Sequence, residues 1–527
     1  MVPMTEYFGD PQGRWLDCDR DARPYLGLQW RPDGVLVHGQ AECSLGRRLG
    51  DDAGDEGVFL EWRWDGQRLT VRNDRFGVYP LFYSAVGDEI WLSPSLAAVL
   101  QGNSARRPNA AALAVLHRLG HFVGEDTPFE DVHFLPPGAT LVWEAGRLDL
   151  QSRGIEPRLV QELPADFDGA IARYGELFAA AVSKRLPHGE AFTVPLSGGR
   201  DSRHILLELV RQGAMPQACL TVKYRPPATN EDARIAGLLC ERLGLRHHVI
   251  DKPASFFQAV RKDIQLTSYC GGGHGWSMPL AAELARTASL SYDGLAGDIL
   301  SAGHMQDAGK ARLFQANQLR ELAVQLLSET RHEAVLAKVL PAAVLAEQHF
   351  ELAVARMVKE LERHQQRANP LRSYLFWNRT RRCIASIPYA IQSSVATVHC
   401  PYLDHQLFDF LMALPLEWTQ GGRLHNATIK ASYPEYADVP YEDKTLVATL
   451  SPADCRYYDG ARREFARYLM AGLGRHRRAL RLGFLLPKLL QELLGRQAGS
   501  PWYLFTAVYA AELHALAARA RLPDSAR

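Results

Sequence analysis

Up to about residue 150 the apolar positions come in short runs suited to strands. Leu60–Trp64, Arg68–Arg72 and Leu81–Tyr83 are set apart by Asp-Gly and Gly-Asp turns, and Asp65-Gly66 between the first two is a hairpin signal. Ser93-Pro94 starts a helix through Leu100, and Pro136-Pro137-Gly138 turns the chain into a strand at Ala139–Trp143. Residues 151–165 read as a linker. From Asp166 to about Arg185, Ile171, Tyr174, Leu177, Phe178 and Val182 fall close to helical spacing. Strand and helix patterns then alternate. Phe192–Leu196 is a buried strand, and Ile205–Val210 forms the first turns of a helix. Ala218–Tyr224 is a second strand. Asn230–Gly244 is a helix with an Asn cap, an acidic first turn and a Gly stop, and Arg246–Asp251 is a third strand. Such alternation predicts an α/β fold with a doubly wound parallel sheet that binds its ligand at the C-terminal strand ends. Residues 310–400 and 446–527 read as helical.

The candidate chemistry sits where the first of these strands meets its helix, at Ser197-Gly198-Gly199-Arg200-Asp201-Ser202. A tight Gly loop feeding a helix aims backbone N–H groups and a helix N-terminus at one point, which suits phosphate. The glycines let backbone approach the ligand, and Ser197 and Ser202 add hydroxyl donors. Asp201 does not belong in an anion cradle unless a cation is there too, and a carboxylate beside phosphates calls for Mg²⁺. The spacing is neither Gly-x-x-x-x-Gly-Lys-Ser/Thr nor Gly-x-Gly-x-x-Gly. His247 and His248 are adjacent on a strand, face opposite ways, and do not suit one metal ion.

Composition narrows the partners. The 527 residues are 47% hydrophobic and 23% charged with net charge +1, so no global field favours nucleic acid or membrane. The eight cysteines are scattered without Cys-x-x-Cys pairs, which indicates neither a zinc site nor a disulfide framework and fits a reducing cytoplasm. No N-terminal signal is expected, and no apolar run reaches the ~18 residues of a membrane helix.

The loop resembles the pyrophosphate-binding Ser-Gly-Gly-x-Asp-Ser of the ATP pyrophosphatase superfamily, in the group of asparagine synthetases, β-lactam synthetases and lasso-peptide cyclases. Arg72-Asn-Asp-Arg75-Phe76-Gly77-Val-Tyr-Pro80-Leu81-Phe-Tyr83 and Phe122–Gly138 resemble the N-terminal domain of asparagine synthetases. The resemblance implies a layered β-sandwich of the N-terminal-nucleophile (Ntn) hydrolase type over residues 1–150. An adenylating domain with a helical C-terminal part follows over residues 166–527. That family's glutaminase works through a Cys exposed after Met removal, but this chain reads Met1-Val2-Pro3, and Cys18 has no cleavage signal. The domain is therefore expected to have lost glutamine hydrolysis and to serve as scaffold, homodimer surface or substrate platform.

The same resemblance distributes the roles. Asp293-Gly294-Leu295-Ala296-Gly297-Asp298 is similar to the family's Gly-Glu-Gly-x-Asp-Glu motif, which puts Asp298 with Asp201 on Mg²⁺. ATP would lie against Leu196, Val222, Asp293 and Gly294, with its pyrophosphate on Ser197, Gly198, Gly199 and Ser202. The segment Lys430–Thr445 resembles the region of the catalytic lysine, where spacing from Pro434 favours Lys444 over Lys430. The implied reaction is ATP plus a carboxylate giving acyl-adenylate and pyrophosphate, followed by amine attack to an amide and AMP. Leu295 stands where relatives carry Glu or Tyr, and Arg200 fills the loop's variable position. These departures favour an amide ligase or cyclase acting on a small-molecule or peptide carboxylate and a preformed amine, with a pathway partner protein as a further expected contact. Lasso-peptide macrolactam formation and modification of a natural product or polysaccharide are candidates. Asparagine synthesis from free ammonia and a non-catalytic scaffold are the alternatives.

Overall fold

The computed structural model describes residues 23–50, 55–102, 107–155, 162–330, 333–443, 445–495 and 499–519. Lys444, Cys18 and the first three residues lie outside this set.

Ten strands build the N-terminal part: β1 Leu26–Arg31, β2 Gly34–Gly39, β3 Glu42–Arg48, β4 Gly57–Trp64, β5 Arg68–Asn73, β6 Phe82–Val86, β7 Glu89–Ser93, β8 His133–Phe134, β9 Ala139–Glu144 and β10 Arg147–Ser152. They form two antiparallel sheets, ordered β2-β1-β7-β6-β8 and β10-β9-β5-β4-β3. Leu26, Leu28, Ile90 and Leu92 from one sheet and Leu60, Trp62, Val71, Leu141 and Trp143 from the other share one buried cluster, as a sandwich requires. The Asp65-Gly66 hairpin joins β4 to β5, with Trp64 opposite Leu69. Gln151 and Ser152, read above as linker, are the last residues of β10.

The second part centres on β11 Phe192–Pro195, β12 Ala218–Val222, β13 His247–Ile250, β14 Leu290–Tyr292 and β15 Thr397–His399. All neighbours are parallel, and the order is β13-β12-β11-β14-β15. The winding therefore reverses between β11 and β14, which opens a crevice beyond their C-terminal ends. β15 interrupts the stretch 310–400 that reads as helical. Three residues are too few for a periodic signal, and pairing with β14 decides their state. The helix after β11 starts at Asp201, a turn earlier than its apolar residues announce. Asn230 precedes its helix at φ +57° and makes no side-chain cap, because its carboxamide oxygen accepts from the Tyr224 N–H instead.

The two parts are joined by a ten-residue π-helical segment, Leu375–Ile384. Such wide turns concentrate at functional sites. From it Asn378 accepts the Gly124 N–H at 2.7 Å. Arg381 donates to the carbonyls of Gly77 (3.2 Å) and Leu135 (2.6 Å). Arg382 donates to the carbonyls of Gly124 and, at 2.8 Å, Asp126. The acceptors belong to the two N-terminal segments singled out in the sequence, which also hold each other: the Asn73 amide donates to the Pro136 carbonyl (2.9 Å) and accepts from the Ala139 N–H (2.6 Å). Gly77 is required at φ +54°, where a Cβ would lie 2.9 Å from both the Asn73 amide nitrogen and Pro137 Cα. Beside this contact Arg75 forms a two-pronged ion pair with Asp409, and buried Phe76 packs edge-on to Phe408 at 4.8 Å. Burying such a ring contributes roughly 2–3 kcal/mol.

Replacing Arg381 by Met keeps the stem and leaves two buried carbonyls unpaired. We expect a loss of about 2–3 kcal/mol, read as a lower thermal unfolding midpoint, with an exposed arginine such as Arg63 replaced in parallel as the neutral control.

Candidate active site at the switch point

The crevice is a cavity of about 420 Å³. Leu196, Ser197, Asp201 and Ser202 enter it after β11, Val222 at the end of β12, and Asp293, Gly294, Leu295 and Asp298 after β14. Eight of the residues expected around ATP thus meet in one wall although their segments are far apart in sequence. Gly198 and Gly199 shape the turn from behind and are not part of that wall. A Cβ on Gly198 would come 2.9 Å from Glu442 Cβ and 3.1 Å from Ile235 Cβ, so only glycine fits under the covering segment.

The loop is held by its own side chains. Ser202 Oγ accepts the Ser197 N–H at 3.0 Å and pairs with Ser197 Oγ at 3.0 Å, while Ser197 Oγ accepts the Gly199 N–H at 3.1 Å. The Gly198 N–H donates to buried Asp232, a neighbour the sequence did not flag. Arg200 points away from the cavity wall: its Nε donates to Asn426 at 2.5 Å and its guanidinium lies 4.8 Å over the Tyr441 ring. Arg203, one turn into the helix, donates to the carbonyls of Val439 (2.8 Å) and Pro440 (2.5 Å). That anchors the segment whose Glu442 N–H meets the Gly198 carbonyl at 3.0 Å. The chain just before Lys444 is therefore tied to the loop. Lys430 lies exposed on the Arg423–Ser432 helix and is not among the residues lining the cavity.

Asp201 is closely wrapped. A Cβ on Gly294 would sit 2.6 Å from its Cβ, and one on Gly297 would sit 2.5 Å from its Oδ1. On its inner side stands His425, with Nδ1 3.5 Å from Asp201 Oδ1 and 2.9 Å from Ser301 Oγ, and with Tyr402 OH 3.2 Å from Nε2. Burial, aided by Arg200, pushes the His425 imidazole down to about 3, so it is neutral. Asp298 is more open. Its Oδ1 accepts the Ile299 N–H at 2.8 Å, and its Oδ2 lies 3.8 Å from Arg379. Asp293 is buried, which lifts its carboxyl to about 6; it accepts the Leu295 N–H at 2.8 Å and faces the Gln392 amide at 3.4 Å. It shapes the turn rather than reaching outward. Among the described residues no group of three His, Cys, Asp or Glu is arranged to hold a metal ion. The two carboxylates Asp201 and Asp298 are hard oxygen donors, and they fit Mg²⁺, which takes few protein ligands and completes its shell with water and phosphate.

The far wall was not foreseen. It carries Thr221, Tyr224, His274, Trp276, Arg379, Ile384, Ile387 and Gln392. The Gly271-Gly-Gly-His-Gly-Trp276 run was the available signal, since so many glycines imply close packing. Arg379 and Ile384 carry no local signature because the π-turn aims them. His247 and His248 part company as their strand positions require: His247 meets Thr221 Oγ1 at 2.9 Å and His248 meets Glu283 at 3.2 Å.

A parallel sheet with a phosphate-type loop and two carboxylates at its switch point defines an ATP-using α/β enzyme. The model of the asparagine synthase family matches residues 173–506, and that of the glutamine amidotransferase domain matches residues 47–153. The chain belongs to the asparagine synthase family, whose reaction type is ATP-dependent amide formation on an ATP pyrophosphatase domain. No curated protein matches it. Among solved structures it is similar to NMN synthetase from Francisella tularensis (16% identity, 41% of this chain, 93% of that one, TM-score 0.21). It is also similar to glutamine phosphoribosylpyrophosphate amidotransferase from B. subtilis (11%, 45%, 66%, 0.14). At these TM-scores neither likeness carries an argument.

Two outcomes follow. Gly294→Ala should displace Asp201 and abolish nucleotide binding by calorimetry, while far-ultraviolet circular dichroism stays unchanged. The depressed His425 contributes stability that is present above its unfolded value, about 6.5, and is lost as pH falls toward 3. The urea midpoint should therefore fall between pH 7 and pH 5, and His425→Gln should flatten that slope.

Proposed function

We propose that this protein adenylates a carboxylate with ATP, releasing pyrophosphate, and passes the acyl group to a preformed amine, giving an amide and AMP. The observation that carries this reading is the meeting of the Ser197–Ser202 loop with Asp201 and Asp298 in one cavity at the sheet's switch point. The Ser197 and Ser202 hydroxyls and the start of the helix at Asp201 hold the pyrophosphate, while Leu196, Val222 and Gly294 form the bed of the nucleoside. Asp201 and Asp298 would hold Mg²⁺, which supplies charge neutralisation on the phosphates. Lys444 is the residue we assign to the α-phosphate, where its ammonium offsets charge built up in the transition state. The attachment of Glu442 to the loop supports it over Lys430.

Leu295 presents only carbon to the cavity, so it neither accepts a proton nor holds an ammonium group. That supports a specialised amide ligase or cyclase, of the lasso-peptide macrolactam or natural-product and polysaccharide type, over asparagine formation. The N-terminal sandwich, residues 1–150, then acts as a platform: its two signature segments are used up in holding the π-turn that carries Arg379 and Ile384. The seven cysteines described are all unpaired, which supports a reducing, cytoplasmic setting. No described helix is long and apolar enough to cross a membrane.

A pyrophosphate-release screen across amino acids, peptides and sugar acids should find acids that drive ATP to AMP. Asp201→Ala should lower that rate by about a hundredfold or more. Purified protein that binds no ATP·Mg²⁺, or an Asp201→Ala variant that turns over normally, would end this reading.

A further inference from the structure

ATP is strongly anionic, yet among the described residues lining the cavity Arg379 is the one arginine or lysine. The other arginines near it are already engaged. Arg381 and Arg382 of the same π-turn donate to N-terminal carbonyls. Arg200, inside the phosphate-type loop, is turned to Asn426 and the Tyr441 ring, and Arg203 holds the carbonyls of Val439 and Pro440. The loop itself therefore offers a ligand neutral donors and a helix start, without a side-chain cation.

Arg379 is held in place and left unbonded. Its neighbours fix the backbone: Asn378 accepts the Gly124 N–H at 2.7 Å, and Arg381 reaches the carbonyls of Gly77 and Leu135. Its Nη1 is buried and has no hydrogen-bond partner among the described residues. The side chain as a whole keeps 22% of its surface open and lines the cavity, which leaves its Nε and Nη2 edge to a ligand. Asp298 stands against it with Oδ2 at 3.8 Å, too far for a hydrogen bond, so that carboxylate stays available to a cation. Buried His121 adds no charge, because burial and the Arg379 and Arg382 guanidinium groups push its imidazole down to about 4. The place of Arg379 along the cavity is set by the same contacts. Asp298 follows Gly297, whose missing Cβ makes room for Asp201: a Cβ there would sit 2.5 Å from Asp201 Oδ1. Arg379 thus stands at the cation end of the cavity, beside Asp298 and one step from Asp201.

We propose that Arg379 is the cation that receives the departing pyrophosphate, presented from the π-turn that the N-terminal sandwich holds. This rests on the adenylation proposed above. In that step a carboxylate oxygen bonds to the α-phosphorus of ATP. The bond from that phosphorus to the bridging oxygen breaks, and its electron pair leaves with pyrophosphate. Entering and leaving oxygens lie roughly in line, so a group beside Asp201 and Asp298 stands on the leaving side and away from the acid. A guanidinium stays charged throughout and matches two phosphate oxygens at once. Fixed in the wall beforehand, it meets the charge as it builds up without having to move.

The test reads binding before turnover. The full chain is titrated by calorimetry with pyrophosphate in the presence of Mg²⁺ and, separately, with AMP. Arg379→Gln should weaken pyrophosphate by roughly 10–100-fold and leave AMP unchanged. Arg379→Lys, which restores the charge without the fork, should recover part of that loss. With an acid that drives pyrophosphate release, Arg379→Gln should slow release by about 10²–10³-fold. Guanidinium ion added to Arg379→Ala should restore part of the rate, which a damaged fold would not allow. Equal pyrophosphate affinity in wild type and Arg379→Gln overturns the proposal, and so does a loss of AMP binding as large as the loss of pyrophosphate. Wild type that binds neither ATP·Mg²⁺ nor pyrophosphate ends the adenylation reading and this inference with it. Wild type that binds ATP·Mg²⁺ but takes up pyrophosphate without regard to Arg379, or not at all, ends this inference alone.

Discussion

The placement of the guanidinium groups of Arg381 and Arg382 against N-terminal carbonyls is the constraint on which the rest depends. Two buried cations that donate to backbone oxygens cannot shift without leaving those carbonyls unpaired. They fix the π-turn, and the same turn presents Arg379 and Ile384 to the cavity and Cys383 to His274. The wide i→i+5 winding lets consecutive residues point to the sandwich, the thiol pair and the cavity within one stretch. An α-helix of the same sequence would rotate some of them away. The N-terminal sandwich thus supports the far wall of the site through packing.

Opposite that wall the acidic side is made rigid by lack of side chains. Gly294 and Gly297 leave room for Asp201 and nothing more, and neutral His425 closes its inner face without adding charge. The cavity lining thus carries the carboxylates Asp201 and Asp298, with Arg379 beside Asp298, and His274 in the same lining.

Much of this was legible in the chain. The Ser197–Ser202 loop announces itself because a strand end, two glycines and a helix start are all local, and local geometry is written in adjacent residues. The apolar alternation gave the parallel sheet for the same reason. Asp298 was reachable because its turn has the same local character. The His274 wall, the neutral role of His425 and the short strand β15 were not, since each depends on partners more than a hundred residues away in sequence: Cys383 for His274, Asp201 for His425, β14 for β15. Asn230 shows the reverse error. A local cap rule was overridden when Tyr224 offered its N–H to the same carboxamide.

Sequence by itself determined most of the elements, the two-part layout and the phosphate-type loop, because hydrophobic period and glycine placement act over a few residues. Tertiary structure alone decided which side chains share the cavity. It set Lys430 apart from the loop while tying Glu442 to it, turned Arg200 away toward Asn426 and Tyr441, and paired His274 with Cys383. Those outcomes depend on how the sandwich and the π-turn dock. Docking is a matter of long-range shape and buried hydrogen bonds, on which residue spacing is silent.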